Sequence, residues 1–166
     1  MKSLNEELVM NVLEKSGTRG TDEKFWLIEW DEKYVLGIPL IDRQNRDFVQ
    51  VLNKLYSVSG AVREIMEQDF IKAANEAITC VRYNFWNEEK LMFLTEFSQQ
   101  PIHKKDHEFI IDKILSFIDC YIQGKRMDSD EFVKLLKNWV LAHITDMDRV
   151  FADFILEMTK NCRRAE

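Results

Sequence analysis

Apolar residues recur at steps of three and four in four long segments of the chain, the spacing that puts them on one face of an α-helix. The first stripe is Ile41, Asn45, Phe48, Leu52 and Leu55. The second is Phe70, Ala74, Ala77, Val81, Asn84, Glu88 and Leu91, and the third is His103, His107, Ile110, Ile114, Phe117 and Tyr121. The fourth runs Phe132, Leu136, Trp139, His143, Met147, Phe151, Phe154 and Met158, with Asp148 on its flank. Joined by short connections, the stripes predict an all-α fold, an antiparallel up-down four-helix bundle. The local signals agree. Asp128 and Glu131 before Phe132 resemble a capping box, Gly124 stands where the third helix would end, and Pro101 suits its first turn. The first break is the least defined, between Ser59-Gly60 and Gln68-Asp69, because Val58, Val62 and Ile65 continue the first stripe.

Two pieces precede the bundle. Leu4, Leu8, Val9, Val12 and Leu13 predict a short extra amphipathic helix ending at Ser16-Gly17. An aromatic-rich arm, Phe25-Trp26-Leu27-Ile28-Glu29-Trp30, is expected to lie along the bundle. The division is therefore an N-terminal extension over 1–24 and a bundle over 25–160.

Composition narrows this further. Five glycines and two prolines in 166 residues are about 4% of the chain, against about 12% in an average one, too few for the turns of a sandwich or barrel. A net charge of −6 disfavours nucleic acid and anionic lipid as partners. No segment approaches the roughly 20 apolar residues of a membrane span, and the opening residues lack a signal-peptide run. Three widely spaced cysteines with no CxxC pair suit a reducing compartment, so a cytoplasmic location is expected. Cys80 reads as a small buried hydrophobe.

What changes the picture is polar residues on core positions. Asn45, Asn84, Glu88, His103, His107 and His143 all fall on inward faces. Burying a carboxylate without partners costs several kcal/mol or more, so such groups gather for a reason. His103 and His107, four apart, project from one helical face, and His143 comes from the antiparallel neighbour. Three imidazoles with Glu88 and Asp148 are the donor set of a transition-metal site inside a bundle.

These residues resemble the hemerythrin family. Residues 26–42, from Trp26 to Asp42, look like its aromatic arm and first-helix entry. The family's Gln-His is Gln44-Asn45 here, and its His-Phe-x-x-Glu-Glu reads Asn84-Phe85-Trp86-Asn87-Glu88-Glu89, followed by Met92. The His-x3-His (His103, His107) and His-x4-Asp (His143, Asp148) motifs are intact. The resemblance implies two non-haem irons bridged by the Glu and Asp, one held by His103, His107 and His143, and dioxygen bound at the other. Both histidine positions of that second iron are asparagine in this chain. Five potential ligands then remain for one ion, which suits iron or manganese better than zinc, while two ions stay possible. The asparagine amides are expected to donate hydrogen bonds to the free oxygens of Glu88 and Asp148.

The expected function is thus a hemerythrin-like protein with a mononuclear, most naturally iron, site for sensing, storage or binding a small ligand such as O2. The alternatives are a di-iron oxygen-binding protein, and a structural site in a protein that works through partners. Enzyme activity has no support from a nucleophile set or a phosphate loop. Homo-oligomerisation through the N-terminal helix is a further expectation.

Overall fold

The computed structural model describes residues 26–59, 67–125 and 128–164. The predicted helix around Leu4–Leu13, and any oligomer formed through it, lies outside them. Among the described residues there are helices and no strands. Helix α1 spans Pro39–Ser59, α2 Glu67–Leu94, α3 Gln100–Ile122, and α4 Ser129–Ala142. A π-helical turn, His143–Asp148, joins α4 directly to α5, Arg149–Arg164, so that α4, the turn and α5 form the fourth rod of the bundle.

The helix ends follow the local chemistry. The Asp128 carboxylate accepts from the backbone N–H groups of Asp130 and Glu131, which caps α4. At the end of α3, Gly124 takes φ +69°, letting its N–H reach Tyr121 O while Lys125 N–H reaches Cys120 O. Helix α2 stops the same way, with Glu96 at φ 54° and Phe97 N–H bonded to Met92 O. Phe97 then packs on Phe151 and Phe154, ring centroids 5.0 and 5.2 Å apart, which fixes the α2–α3 turn against α5.

The aromatic arm is held by specific bonds as well as by apolar contact. Asn53 of α1 both accepts from Ile28 N–H and donates to Ile28 O, each at 2.9 Å. The Asp42 carboxylate accepts from Leu36 and Gly37 N–H. Arg149 donates to the carbonyls of Lys33 and Val35, so the arm is tied to the rod beside the π-turn.

The core is divided along its length. One half is dry and aromatic, with Phe117 stacked on Phe132 at 3.8 Å and Phe70 edge-on to Phe117. The other half, where α2 ends and α3 begins, contains nine-tenths-buried Asn45, Asn84, Glu88, His103, His107, His143 and Asp148.

Most stripe positions are buried as the periodicity predicts, with three departures. Leu91, Tyr121, Trp139 and Phe154 are half-buried, and Met92 takes the core place assigned to Leu91. Met158 is 40% exposed near the end of α5. Met147 and Asp148 exchange roles: the sequence places Met147 inside and Asp148 on the flank, yet Asp148 is buried and Met147 half-buried. The π-turn is the cause.

Candidate metal centre

Five side chains converge: Glu88 of α2, His103 and His107 of α3, and His143 and Asp148 of the π-turn, with one donor atom from each lying within 4.8 Å of all the others. Their positions follow from helix geometry. His103 and His107 are one α-helical turn apart and share a face. His143 and Asp148 are five apart, which in an α-helix is about 140° of rotation and would separate them. In a π-turn of about 4.4 residues, five residues rotate only about 50° beyond a full circle, so both side chains face the centre. The His-x4-Asp spacing and the π-turn are one feature seen in sequence and in structure.

The Nε2 atom of His143 lies 3.0 Å from the Nε2 atoms of both His103 and His107. Asp148 Oδ1 is 3.2 Å from His103 Nε2 and 3.1 Å from His143 Nε2. Glu88 Oε2 is 3.3 Å from His107 Nε2 and 3.7 Å from His103 Nε2. Two carboxylates outside the five orient the rings. His143 Nδ1–H donates to Asp106 at 2.7 Å, and His107 Nδ1–H donates to Glu89 at 3.1 Å. A carboxylate only accepts, so Nδ1 carries the proton in each bond and each ring turns its Nε2 inward.

This arrangement fits a cation. Lone pairs 3.0 Å apart repel, and Asp148 Oδ1 is buried without a hydrogen bond of good geometry. Adjacent donors of an octahedron about 2.1 Å in radius are about 3.0 Å apart, against about 3.4 Å in a tetrahedral zinc site. The separations of 3.0–3.3 Å are of the size that ligands of a shared ion keep, and every donor is nitrogen or carboxylate oxygen.

Without an ion, protons do part of that work. Burial disfavours charge on His143, but Asp148 and its bond to Asp106 outweigh this and raise its pKa to about 10. Asp148 is shifted the opposite way: burial would raise it, yet the His143 charge and the close approach of the His103 and His143 rings hold it below the usual carboxylate range. Burial, then the neighbouring Asp148 charge, push Glu88 up, and burial pulls His103 down. A cation must displace the proton that His143 carries, so its affinity is expected to fall as pH falls, about tenfold per pH unit for each proton expelled. Calorimetry in two buffers of different ionisation enthalpy counts those protons, and a count of zero contradicts the protonated ion-free centre.

An aromatic wall closes the histidine side. Phe85 stacks on His107 at 3.7 Å and 3°, and Trp139 stacks on His143 at 4.5 Å. The two buried asparagines bond differently. Asn45 donates to Asp148 Oδ2 at 3.0 Å, as expected from the sequence. Asn84 does not donate to Glu88. Its amide bonds instead to the backbone carbonyl of Gln44 at 2.8 Å, the nearer acceptor across the α1–α2 seam. Cys80 is half-buried, 3.9 Å from that amide, with its thiol pKa pushed up by burial.

The sequence reading missed Asp106 and Glu89. The signal was available in part, since each adjoins a candidate ligand in the chain and is acidic. Removing such an orienting partner typically costs 10–100-fold in metal affinity. Asp106→Asn is expected to weaken the metal by that amount, measured by competition with a chelator of known affinity.

The sequence profile described as "Hemerythrin HHE cation binding domain" matches residues 36–155. The chain belongs to the hemerythrin family. Among its relatives is a bacteriohemerythrin of Stenotrophomonas maltophilia (strain R551-3), 27% identical over 127 residues, 76% of this chain and 80% of that one. A bacteriohemerythrin of Aquifex aeolicus (strain VF5) is 26% identical over 133 residues, covering 76% and 95%. A crystal structure of wild-type hemerythrin superposes with a TM-score of 0.71 at 17% identity, covering 76% of this chain and 96% of that one, which shows the same fold. Hemerythrin-type iron chemistry fits the donor set, and no helix among the described residues is long and apolar enough to cross a membrane.

Proposed function

We propose that this hemerythrin-family protein holds one iron ion per chain and presents it to a small ligand, in sensing, storage or ligand binding, without the reversible dioxygen carriage of a di-iron centre. His103, His107, His143, Glu88 and Asp148 would hold the ion. The observation that carries this reading is the bond from Asn45 to Asp148 Oδ2. A carboxylate that bridges two ions must offer one oxygen to each. Here the second oxygen of Asp148 is engaged by a neutral amide standing where the resemblance places a histidine.

When bound, the ion would supply a redox-active Lewis acid to a small ligand. The rest is done by the chain. The histidines supply neutral donors with orientation set by Asp106 and Glu89, Asp148 and Glu88 balance charge, and Phe85 with Trp139 exclude water from the histidine side.

A di-iron reading, with dioxygen binding, has support from the bacteriohemerythrin relatives and from Glu88, which Asn84 leaves without the expected hydrogen bond. Elemental analysis of protein reconstituted with ferrous ion separates the two. One tightly held ion per chain is expected, and two overturn the mononuclear proposal.

A further inference from the structure

Independently of the metal centre, we propose that the groove between α3 and α4, at the dry end of the bundle, is the docking site of this chain's own amphipathic segment, residues 4–16. The groove has a volume of about 370 Å³, and the buried, stacked rings of Phe117 and Phe132 form its floor. Ser116 and Cys120 of α3 line one side and Leu135 of α4 the other. Ser116 and Cys120 are short, so the two helices leave a furrow above the stacked rings. Leu135 is 42% exposed on its edge. A furrow with an apolar floor between two helices is a shape that an amphipathic helix fills with side chains spaced at i and i+4.

The segment has that spacing. Leu4, Leu8 and Val12 follow one another at four-residue steps with Val9 and Leu13 beside them, while Glu6, Glu7 and Glu14 fall on the other face. A helix of this length spans about 20 Å, and one shorter than about 12–15 residues is marginal alone, so its apolar face needs a surface. The arm shows where the segment is tethered. Leu36 and Gly37 bond to Asp42, whereas Ile28 bonds to Asn53, so the arm runs antiparallel to α1 and leads back toward Ser59. Ser59 is bonded to both Ser129 and Asp130, and their neighbours Asp128 and Glu131 line the groove. Asn53 and Ser59 are six residues apart on α1, about 9 Å. The chain therefore enters the arm at Trp26 beside the end of the bundle where the groove lies. Residues 17–25, nine in all, reach up to about 30 Å when extended, enough to pass from Trp26 over the start of α4. A tether this short holds the segment near the groove at an effective concentration of about millimolar, an advantage that the same segment on a second copy lacks.

The test uses the full chain carrying Cys80→Ala and Cys162→Ser, which leaves Cys120 in the groove as the only thiol. The reading is the rate at which Cys120 reacts with a water-soluble maleimide. Adding Leu8→Asp with Val12→Asp, which sets charge on the docking face, is expected to speed the reaction about tenfold or more by releasing the segment. Leu135→Glu, at an exposed position on the opposite wall, is expected to speed it similarly, and it carries the test alone if the Asp variant does not fold. Equal rates in the parent and these variants overturn the proposal. Protection of Cys120 that fades on dilution, with the mass of a dimer in light scattering, assigns the groove to the segment of a second copy and overturns docking within one chain.

Discussion

Replacing Asn45 and Asn84 together by histidine is expected to raise the iron content from one ion per chain to two. Both positions are buried on helices within the stretch that the hemerythrin profile matches. A neutral amide oxygen is a weak ligand, whereas an imidazole offers a nitrogen lone pair of the kind the first ion already uses. Asn45→His also removes the donor that occupies Asp148 Oδ2, which frees that oxygen for a second ion. Asn84→His releases the Gln44 carbonyl, so α1 must find another partner there or tolerate an unpaired acceptor. Imidazole is bulkier than the amide, and overpacking a core commonly costs about 1–3 kcal/mol, so the metal-free double variant is expected to melt below the wild type. The readout is metal stoichiometry, with the visible spectrum in air as a second measurement. A folded double variant that still binds one ion places the obstacle outside these two residues, and contradicts the assignment of the asparagines as the lost ligands.

What the sequence made legible depended on whether a structure obeys one period throughout. Phe48, Leu52 and Leu55, or Ile110, Ile114 and Phe117, repeat at the α-helical period and are buried where that period puts them. His103 and His107 lie within a regular helix, so their shared face could be read directly. The fourth rod breaks its period at the site. Carrying the α-helical step through His143 assigns Met147 to the core, and only the π-turn, a feature with no local propensity signal, exchanges it for Asp148. Partner choice was less legible than position. Asn45 and Asn84 were both expected to face the carboxylates, but an amide takes the acceptor its backbone brings nearest, and for Asn84 that is a main-chain carbonyl on α1. The same limit hid Asp106 and Glu89, whose importance comes from the ring nitrogens they meet and not from their own place on a stripe.

Chelation of the ion is expected to lower the melting temperature by about 8–16 °C, and His107→Ala is expected to abolish most of that difference. The five donors come from residues 88 to 148 and from separate helices, so an unfolded chain does not present them together, and binding free energy becomes folding free energy. With free ion at about 1,000 times its Kd the gain is about 4 kcal/mol, and for a chain of this size each kcal/mol is worth about 2–4 °C. His107 is the most revealing ligand to remove. It is fully buried, stacked on Phe85 and held by Glu89, so its loss takes away a donor and leaves a gap in the aromatic wall. The gap destabilises loaded and metal-free protein alike, as any core truncation does. The lost donor acts only when an ion is present. The decisive quantity is therefore the difference between melting temperatures with and without chelator, compared between variant and wild type. His107→Gln, which fills more of the space, separates the two effects: a large shared drop recovered by Gln reports packing, while a chelator difference that stays small in both variants reports ligation. Wild-type protein that melts at the same temperature loaded and chelated would show that hydrogen bonds among Asn45, Asp148, Asp106 and His143 already satisfy this core, and that the ion adds nothing to the fold.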